Sequence, residues 1–115
     1  MDEKQALDAF MALSQETRLA IVRTLVKQGP DGLAAGAIAE AMGVSPSNVS
    51  FHLGHLERSG LIQSRREARS IVYSASFGTL GALIRFLTEE CCQAKPEICA
   101  PLTNLACACI PETVS

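Results

Sequence analysis

The chain has 115 residues, 48% of them hydrophobic, and a formal net charge of −2. This length supports one modest core, and the acidic balance argues against a protein that coats nucleic acid indiscriminately. No apolar run approaches membrane-spanning length and the charged N-terminus does not resemble a signal peptide, so a cytoplasmic protein without membrane contact is expected.

Two amphipathic helices are predicted within the first 30 residues. The first, residues 4–13, has one apolar side formed by Leu7, Phe10 and Met11. In the second, Ser14 is the expected N-cap and Gly29 the start of the expected Gly-Pro end. The core stripe expected for the second helix comprises Leu19, Val22, Leu25 and Val26. Residues 31–34 then form a connector.

The next segments predict a helix-turn-helix. Residues 35–42 are Ala-rich and helical, and the following Gly43 gives a tight turn into residues 45–60. Ser45 is a favourable N-cap for this second helix, and Gly60 can end it in a left-handed conformation. An apolar stripe of Val49, Leu53 and Leu56 is expected to pack inward.

The other side of the 45–60 helix is suited to DNA. It carries small hydroxyls near its N-terminal end and no carboxylate, which fits phosphate and base contacts in a major groove. Its members are Ser47, Ser50, Phe51, Gly54, His55 and Arg58. An ordinary amphipathic surface helix is the alternative interpretation.

Two short strands, residues 61–66 and 70–75, are predicted to form a hairpin wing with a charged tip. The segment 51–75 has net charge +2 and the remainder −4, which suits a site-specific DNA binder with few, placed phosphate contacts. Arg65, Arg66 and Arg69 are the expected phosphate contacts. Alternatively these arginines only solvate the hairpin and protect its edges.

The last helix, residues 77–92, carries a second unpartnered apolar stripe. Its members are Leu80, Leu83, Ile84, Leu87 and Cys91. Together with the first helix, this stripe is predicted to pair with a second copy of the chain. A homodimer would present two recognition helices to a palindromic double-stranded operator.

All five cysteines lie in the final 25 residues: Cys91, Cys92, Cys99, Cys107 and Cys109. In a cytosolic protein such a cluster favours metal or redox chemistry over structural disulfides. Cys91, Cys92 and Cys99 would give an all-sulfur donor set that suits pyramidal As(III) or Sb(III). Zinc prefers a fourth ligand, which Cys107 or Cys109 could supply, so zinc, cadmium and lead stay open.

Four segments together resemble the ArsR/SmtB family of metal-sensing winged-helix repressors: residues 14–22, 45–53, 56–62 and 65–73. The resemblance implies a mainly α, homodimeric winged helix-turn-helix with about five helices and a two-stranded wing. It also implies a repressor that leaves its operator when metal or metalloid binds. By position, the DNA contacts of the family fall on Ser47, Asn48, Ser50 and Phe51, with His52 alongside.

Two positions depart from the pattern of many relatives. Phe51 stands where several relatives place a hydrogen-bonding residue, so an apolar contact with a thymine methyl is one interpretation. Ala68 replaces a glycine at the wing tip.

The sensor motifs also differ. The arsenic-type Cys-Val-Cys motif is absent around residues 33–37, and the only histidines, His52 and His55, lie in the recognition helix rather than the last helix. Some arsenic-responsive members of this family have a similar site of a Cys-Cys pair and a distal cysteine, so the resemblance implies the arsenic-responsive type with a C-terminal cysteine site. We predict a DNA-binding and dimerisation domain at residues 1–93 and a tail at 94–115 that completes the sensor.

Other functions use the same residues less completely. A thiol redox sensor of the same fold could pair Cys92 with Cys99. An enzyme is not expected, since the chain has no Cys-x-x-Cys, no phosphate-binding glycine loop and no histidine beside a nucleophile. A metal chaperone would leave the capped helix and the wing unexplained.

Overall fold

A computed structural model describes residues 1–88 of the chain. The expected cysteine ligands and the predicted 94–115 tail lie outside the described residues. The elements in chain order are α1 (Glu3–Leu13), α2 (Glu16–Gln28), β1 (Leu33–Ala34), α3 (Ala35–Met42), α4 (Pro46–Arg58), β2 (Ile62–Glu67), β3 (Ser70–Ala75) and α5 (Phe77–Thr88). The predicted fold class, five helices with a β wing, is confirmed.

The first two helices are separated by side-chain caps. Ser14, the predicted N-cap of α2, instead donates its hydroxyl to the carbonyl of Met11 at 2.9 Å, at the end of α1. The N-cap is Gln15, whose side-chain oxygen accepts the backbone N–H of Arg18 at 2.8 Å. Gly29 ends α2 as predicted, with a φ of 83°.

The core lies where α2, α3, α4 and the sheet meet. From α2 it receives Ile21, Val22 and Leu25, while the expected core residues Leu19 and Val26 are exposed. Two members of that predicted stripe were therefore wrong, because the buried face of α2 is centred on Ile21, Val22 and Leu25 and leaves Leu19 and Val26 at its margins. The apolar stripe of α4 is buried as predicted: Val49, Leu53 and Leu56 are each at most 1% exposed.

The helix-turn-helix has the turn that the glycines predicted. Gly43 adopts a left-handed conformation with φ 70°, and its N–H donates to the carbonyl of Ala39 at 2.9 Å. Ser45 then caps α4, its hydroxyl accepting the N–H of Asn48 at 3.2 Å. Gly60, with φ 84°, ends the same helix, so both limits of α4 are fixed by local chemistry.

The sheet has three antiparallel strands in the order β1-β3-β2. Residues 33–34, predicted as part of a connector, are a short strand in which Leu33 lies opposite Tyr73. Gly32 precedes it with φ 70°, and a Cβ there would overlap the carbonyl oxygen of Tyr73. The wing is therefore anchored to the helical body through a glycine at close approach.

The outer helices leave apolar surface uncovered. Helix α1 buries only its alanines, and its Met11 is 68% exposed. Helix α5 packs against α1 and buries Leu83, yet its Leu87 is 60% exposed. Such adjacent apolar faces on a small domain are typical of surfaces that pack against another protein.

Gly32→Ala should lower the free energy of unfolding by at least about 2 kcal/mol, because it adds both a left-handed φ penalty and a clash with β3. The matched control is Gly36→Ala in α3, where a Cβ meets no atom within 4 Å. That change should be neutral or stabilise by up to about 1 kcal/mol. Urea unfolding of both variants decides; equal stabilities would contradict the close approach.

Candidate nucleic-acid interface

Helix α4 presents one polar and aromatic face to solvent. Ser47, Asn48, Ser50 and Phe51, four of the predicted DNA-contacting residues, are all exposed. Phe51 is 61% exposed, and its ring packs edge-on against His55 with centroids 4.7 Å apart. An aromatic side chain held this way offers an apolar edge beside the hydroxyls, which suits contact with a thymine methyl.

His52 does not belong to this exposed face. Its side chain is only 7% exposed, and it lies between Val49 and Leu56 in the sequence of the buried stripe, at helical spacings of three and four. This burial removes His52 from the set of expected DNA contacts. The helical spacing is visible in the sequence, whereas the expectation of a DNA contact came from the position of His52 in the family resemblance.

The partner of His52 is Arg18, which the sequence did not single out as a site residue. Nη1 of Arg18 lies 3.3 Å from Nδ1 of His52, and its Nε donates to the carbonyl oxygen of Ala12 at 2.7 Å. Burial, then the charge of Arg18, then His55 lower the pKa of His52 below its usual range. A neutral His52 ring can accept a hydrogen bond from Arg18 at Nδ1.

The three wing arginines are not equivalent. Arg65 donates to the carbonyl oxygens of Pro30 (3.1 Å) and Asp31 (2.7 Å), and its Nε is paired with the carboxylate of Glu67 at 2.6 Å. Its guanidinium therefore holds β2 to the turn after α2, which favours a structural role; the expected phosphate contact of Arg65 stays a prediction. Arg66 and Arg69 are exposed, and neither side chain makes a hydrogen bond or ion pair with another described residue.

The wing tip carries backbone strain. Ala68 has φ 55°, and it occupies the first position of the two-residue turn between the paired residues Glu67 and Ser70. Hairpin turns with positive φ favour glycine at such positions. The departure noted in the sequence, alanine in place of glycine, thus leaves the turn intact at the cost of a left-handed alanine.

Residues 1–88 contain no group of three or more His, Cys, Asp or Glu side chains placed to hold a metal ion. No helix in this part of the chain is long and apolar enough to cross a membrane. The predicted ligands Cys91, Cys92 and Cys99 come later in the sequence than Thr88 and lie outside the described residues.

Comparison with known proteins finds relatives among helix-turn-helix proteins. The family model described as a helix-turn-helix domain matches residues 13–65. The regulator YgaV of Escherichia coli is 35% identical over 89 residues, covering 77% of this chain and 88% of that protein. The nodulation protein NolR of Rhizobium meliloti is 37% identical, covering 76% and 70%.

Solved structures of related proteins have a similar fold. An ArsR-like transcriptional regulator from Rhodococcus sp. RHA1 superposes with a TM-score of 0.70 at 29% identity, covering 84% of this chain and 89% of that one. HlyU from Vibrio cholerae gives a TM-score of 0.60 at 27% identity, covering 79% and 99%.

An exposed capped helix after a glycine turn, followed by a basic hairpin, defines a winged helix-turn-helix DNA-binding protein. The identity and coverage of its relatives show more: the chain belongs to the ArsR family of winged-helix transcriptional regulators.

Substitutions of the wing arginines should differ in how they change the salt dependence of DNA affinity. Arg69→Ala should weaken binding to all duplexes alike and reduce the slope of log K against log salt by about 1. Arg65→Ala should change that slope little and instead lower the free energy of unfolding, because it releases two carbonyls. Arg23→Ala on the exposed side of α2 is the charge control; an Arg65 variant that matched Arg69→Ala would contradict the assignment.

Proposed function

We propose that this regulator is a homodimeric repressor that binds operator DNA and releases it when As(III) or Sb(III) binds Cys91, Cys92 and Cys99. One observation carries the proposal. This small protein has an exposed polar face on α4 that could contact DNA, and it has exposed apolar residues on α1 and α5. All of its cysteines come after Thr88 in the sequence.

The dimer is supported by the exposed apolar residues of the outer helices. A winged helix-turn-helix domain from Mycobacterium bovis, described as homodimeric, superposes on this chain with a TM-score of 0.61 at 29% identity. We infer that a second copy covers α1 and α5, since those helices leave Leu7, Met11 and Leu87 exposed. Two copies of α4 would then meet successive major grooves of one operator.

The ligand is inferred from the chemistry of the donors. Three thiolates without histidine or carboxylate form a soft donor set, and a trivalent metalloid with a lone pair needs no fourth ligand. Thiols must lose protons to bind, so binding should weaken as the pH falls. Zinc, cadmium or lead would recruit Cys107 or Cys109 as the fourth ligand.

The coupling follows from position along the chain. Cys91 comes three residues after Thr88, the last described residue of the proposed dimer helix. Ion binding there would shift the subunit angle, and a small change in angle misplaces two recognition helices relative to a fixed operator. Because coupling is reciprocal, operator DNA should weaken metalloid binding by the same factor.

The dimer is tested by a charge on α5. Leu87→Glu should give a monomer by light scattering and lose operator affinity, because it places a carboxylate in the proposed interface. Val26→Glu is the matched control, since Val26 is an exposed aliphatic residue on α2. A dimeric Leu87→Glu, or a monomeric Val26→Glu, would contradict the assigned interface.

The sensor is tested by fluorescence anisotropy of the reduced protein on its upstream DNA. Arsenite and antimonite should release wild-type protein but not Cys92→Ser, whereas Cys107→Ser should respond like wild type. If zinc released the DNA and this release required Cys107, the proposed inducer would be zinc rather than As(III) or Sb(III). Wild-type protein that never binds DNA would overturn the proposal from its first step.

A thiol redox regulator of the same fold is the second candidate. One solved structure similar to this chain, at 28% identity and a TM-score of 0.58, is described as reduced HlyU from Vibrio cholerae, and HlyU is named a transcriptional activator. In this chain the same assay separates the two: peroxide without metalloid would release DNA only from a redox regulator, and dithiothreitol would restore binding.

A further inference from the structure

A row of side chains runs from the interior of the molecule to the reading face of α4. It begins at the half-buried Arg18, continues through the buried ring of His52, and ends at the exposed ring of Phe51 and the half-buried ring of His55. The ring centroids of Phe51 and His52 are 5.5 Å apart at 66°, and those of Phe51 and His55 are 4.7 Å apart at 74°. Both contacts are edge-on, the geometry that aromatic rings favour.

Arg18 joins three helices with one guanidinium. It stands in the first turn of α2, donates to the Ala12 carbonyl in the last turns of α1, and contacts His52 in the middle of α4. Its own backbone N–H is held by Gln15. The planar, forked donor set of arginine can reach acceptors on two elements at once, whereas a lysine ammonium is a compact point charge that cannot reproduce the fork.

We propose that Arg18 is a positioning residue for operator reading: through His52 it sets the ring of Phe51 on α4, and it ties that setting to the end of α1. This inference rests on the proposed function, in which α4 reads the operator. It deepens that function by naming the group that orients the aromatic reader and links it to a helix of the proposed dimer interface.

The consequence concerns specificity rather than general affinity. Contacts to base edges distinguish sequences, while phosphate contacts from residues such as Arg66 and Arg69 bind any duplex. A change in the orientation of Phe51 should therefore weaken operator binding and leave binding to unrelated DNA unchanged. A residue that only stabilised the fold would not alter the ratio of the two affinities well below the melting temperature.

The link also depends on the protonation of His52. A protonated ring has no lone pair for Arg18 and is repelled by it. Besides His52, the charged and titratable groups near the Arg18–His52 pair are Asp8 from α1, Arg18 from α2, and His55 and Arg58 from α4. These four side chains line one groove of about 320 Å³. The charged residues of α3 and β2, the other elements that contact α4, are exposed to solvent.

The sign of the pH effect follows. The unfolded chain takes up a proton at the ordinary histidine pKa of about 6.5, and the folded chain does so only at lower pH. Stability from neutral His52 is therefore present above that ordinary pKa and declines as the pH falls from it toward the lowered pKa. Operator preference should be lost as His52 becomes protonated.

The experiment measures the affinity ratio for operator over a random duplex of equal length at one salt concentration. Arg18→Lys and His52→Leu should reduce this ratio about tenfold, the discrimination typical of one base contact. His52→Asn should retain most of it, because the asparagine Oδ1 can accept from Arg18 near the position of Nδ1. Arg23→Lys, on the exposed side of α2, is the matched control.

A pH series gives a readout that a structural role would not move. As the pH is lowered from 7.5, the ratio should fall for wild type and stay level for His52→Asn, down to the lowest pH at which urea unfolding shows that both remain folded. Arg18→Lys and His52→Leu both at the wild-type ratio, with wild type level in pH, would overturn the inference while leaving the proposed function intact. A wild-type ratio of one would overturn the proposed function and this inference with it.

Discussion

The burial of one side of α4 is the constraint on which the rest of the molecule depends. Val49, Leu53 and Leu56 are sealed in the core against α2 and α3, so the opposite side must face solvent. Each fully buried aliphatic side chain contributes roughly 1.5–3 kcal/mol relative to exposure. That stabilisation fixes the rotation of α4 about its axis, and with it the direction in which Ser47, Ser50 and Phe51 point.

The termini of α4 complete this constraint. Ser45 and Pro46 set where the helix begins, and Gly60 sets where the chain turns toward β2. The wing then follows at a distance fixed by the turn, and Arg65 holds it against the loop after α2. A recognition helix and a wing positioned by the same core can act as one rigid reading surface, which is what a regulator needs if its control comes from subunit geometry.

Local chemistry in the sequence predicted much of this arrangement. Caps, glycine turns and short runs with β-branched residues are short-range signals, so the helix-turn-helix, the wing and the exposed face of α4 followed from them. The apolar stripes of α1 and α5 were also visible as patterns without a partner.

Long-range contacts account for the parts that the sequence did not predict. Arg65 looks like a phosphate ligand until it is seen to bond carbonyls 34 and 35 residues earlier. The family resemblance places His52 alongside the DNA contacts, whereas the structure places Arg18, also 34 residues away, beside it. The strand at Leu33–Ala34 is too short to carry an alternating pattern, and it exists only because β3 pairs with it.

Reciprocal coupling is the most direct test of the account, because it joins the reading surface to the proposed cysteine site without assuming how the signal travels. The dissociation constant of arsenite would be measured for the reduced dimer alone and for the dimer saturated with operator. The account predicts weaker arsenite binding on DNA, by the same factor by which arsenite weakens operator binding. Equal arsenite affinity in the two states would contradict it.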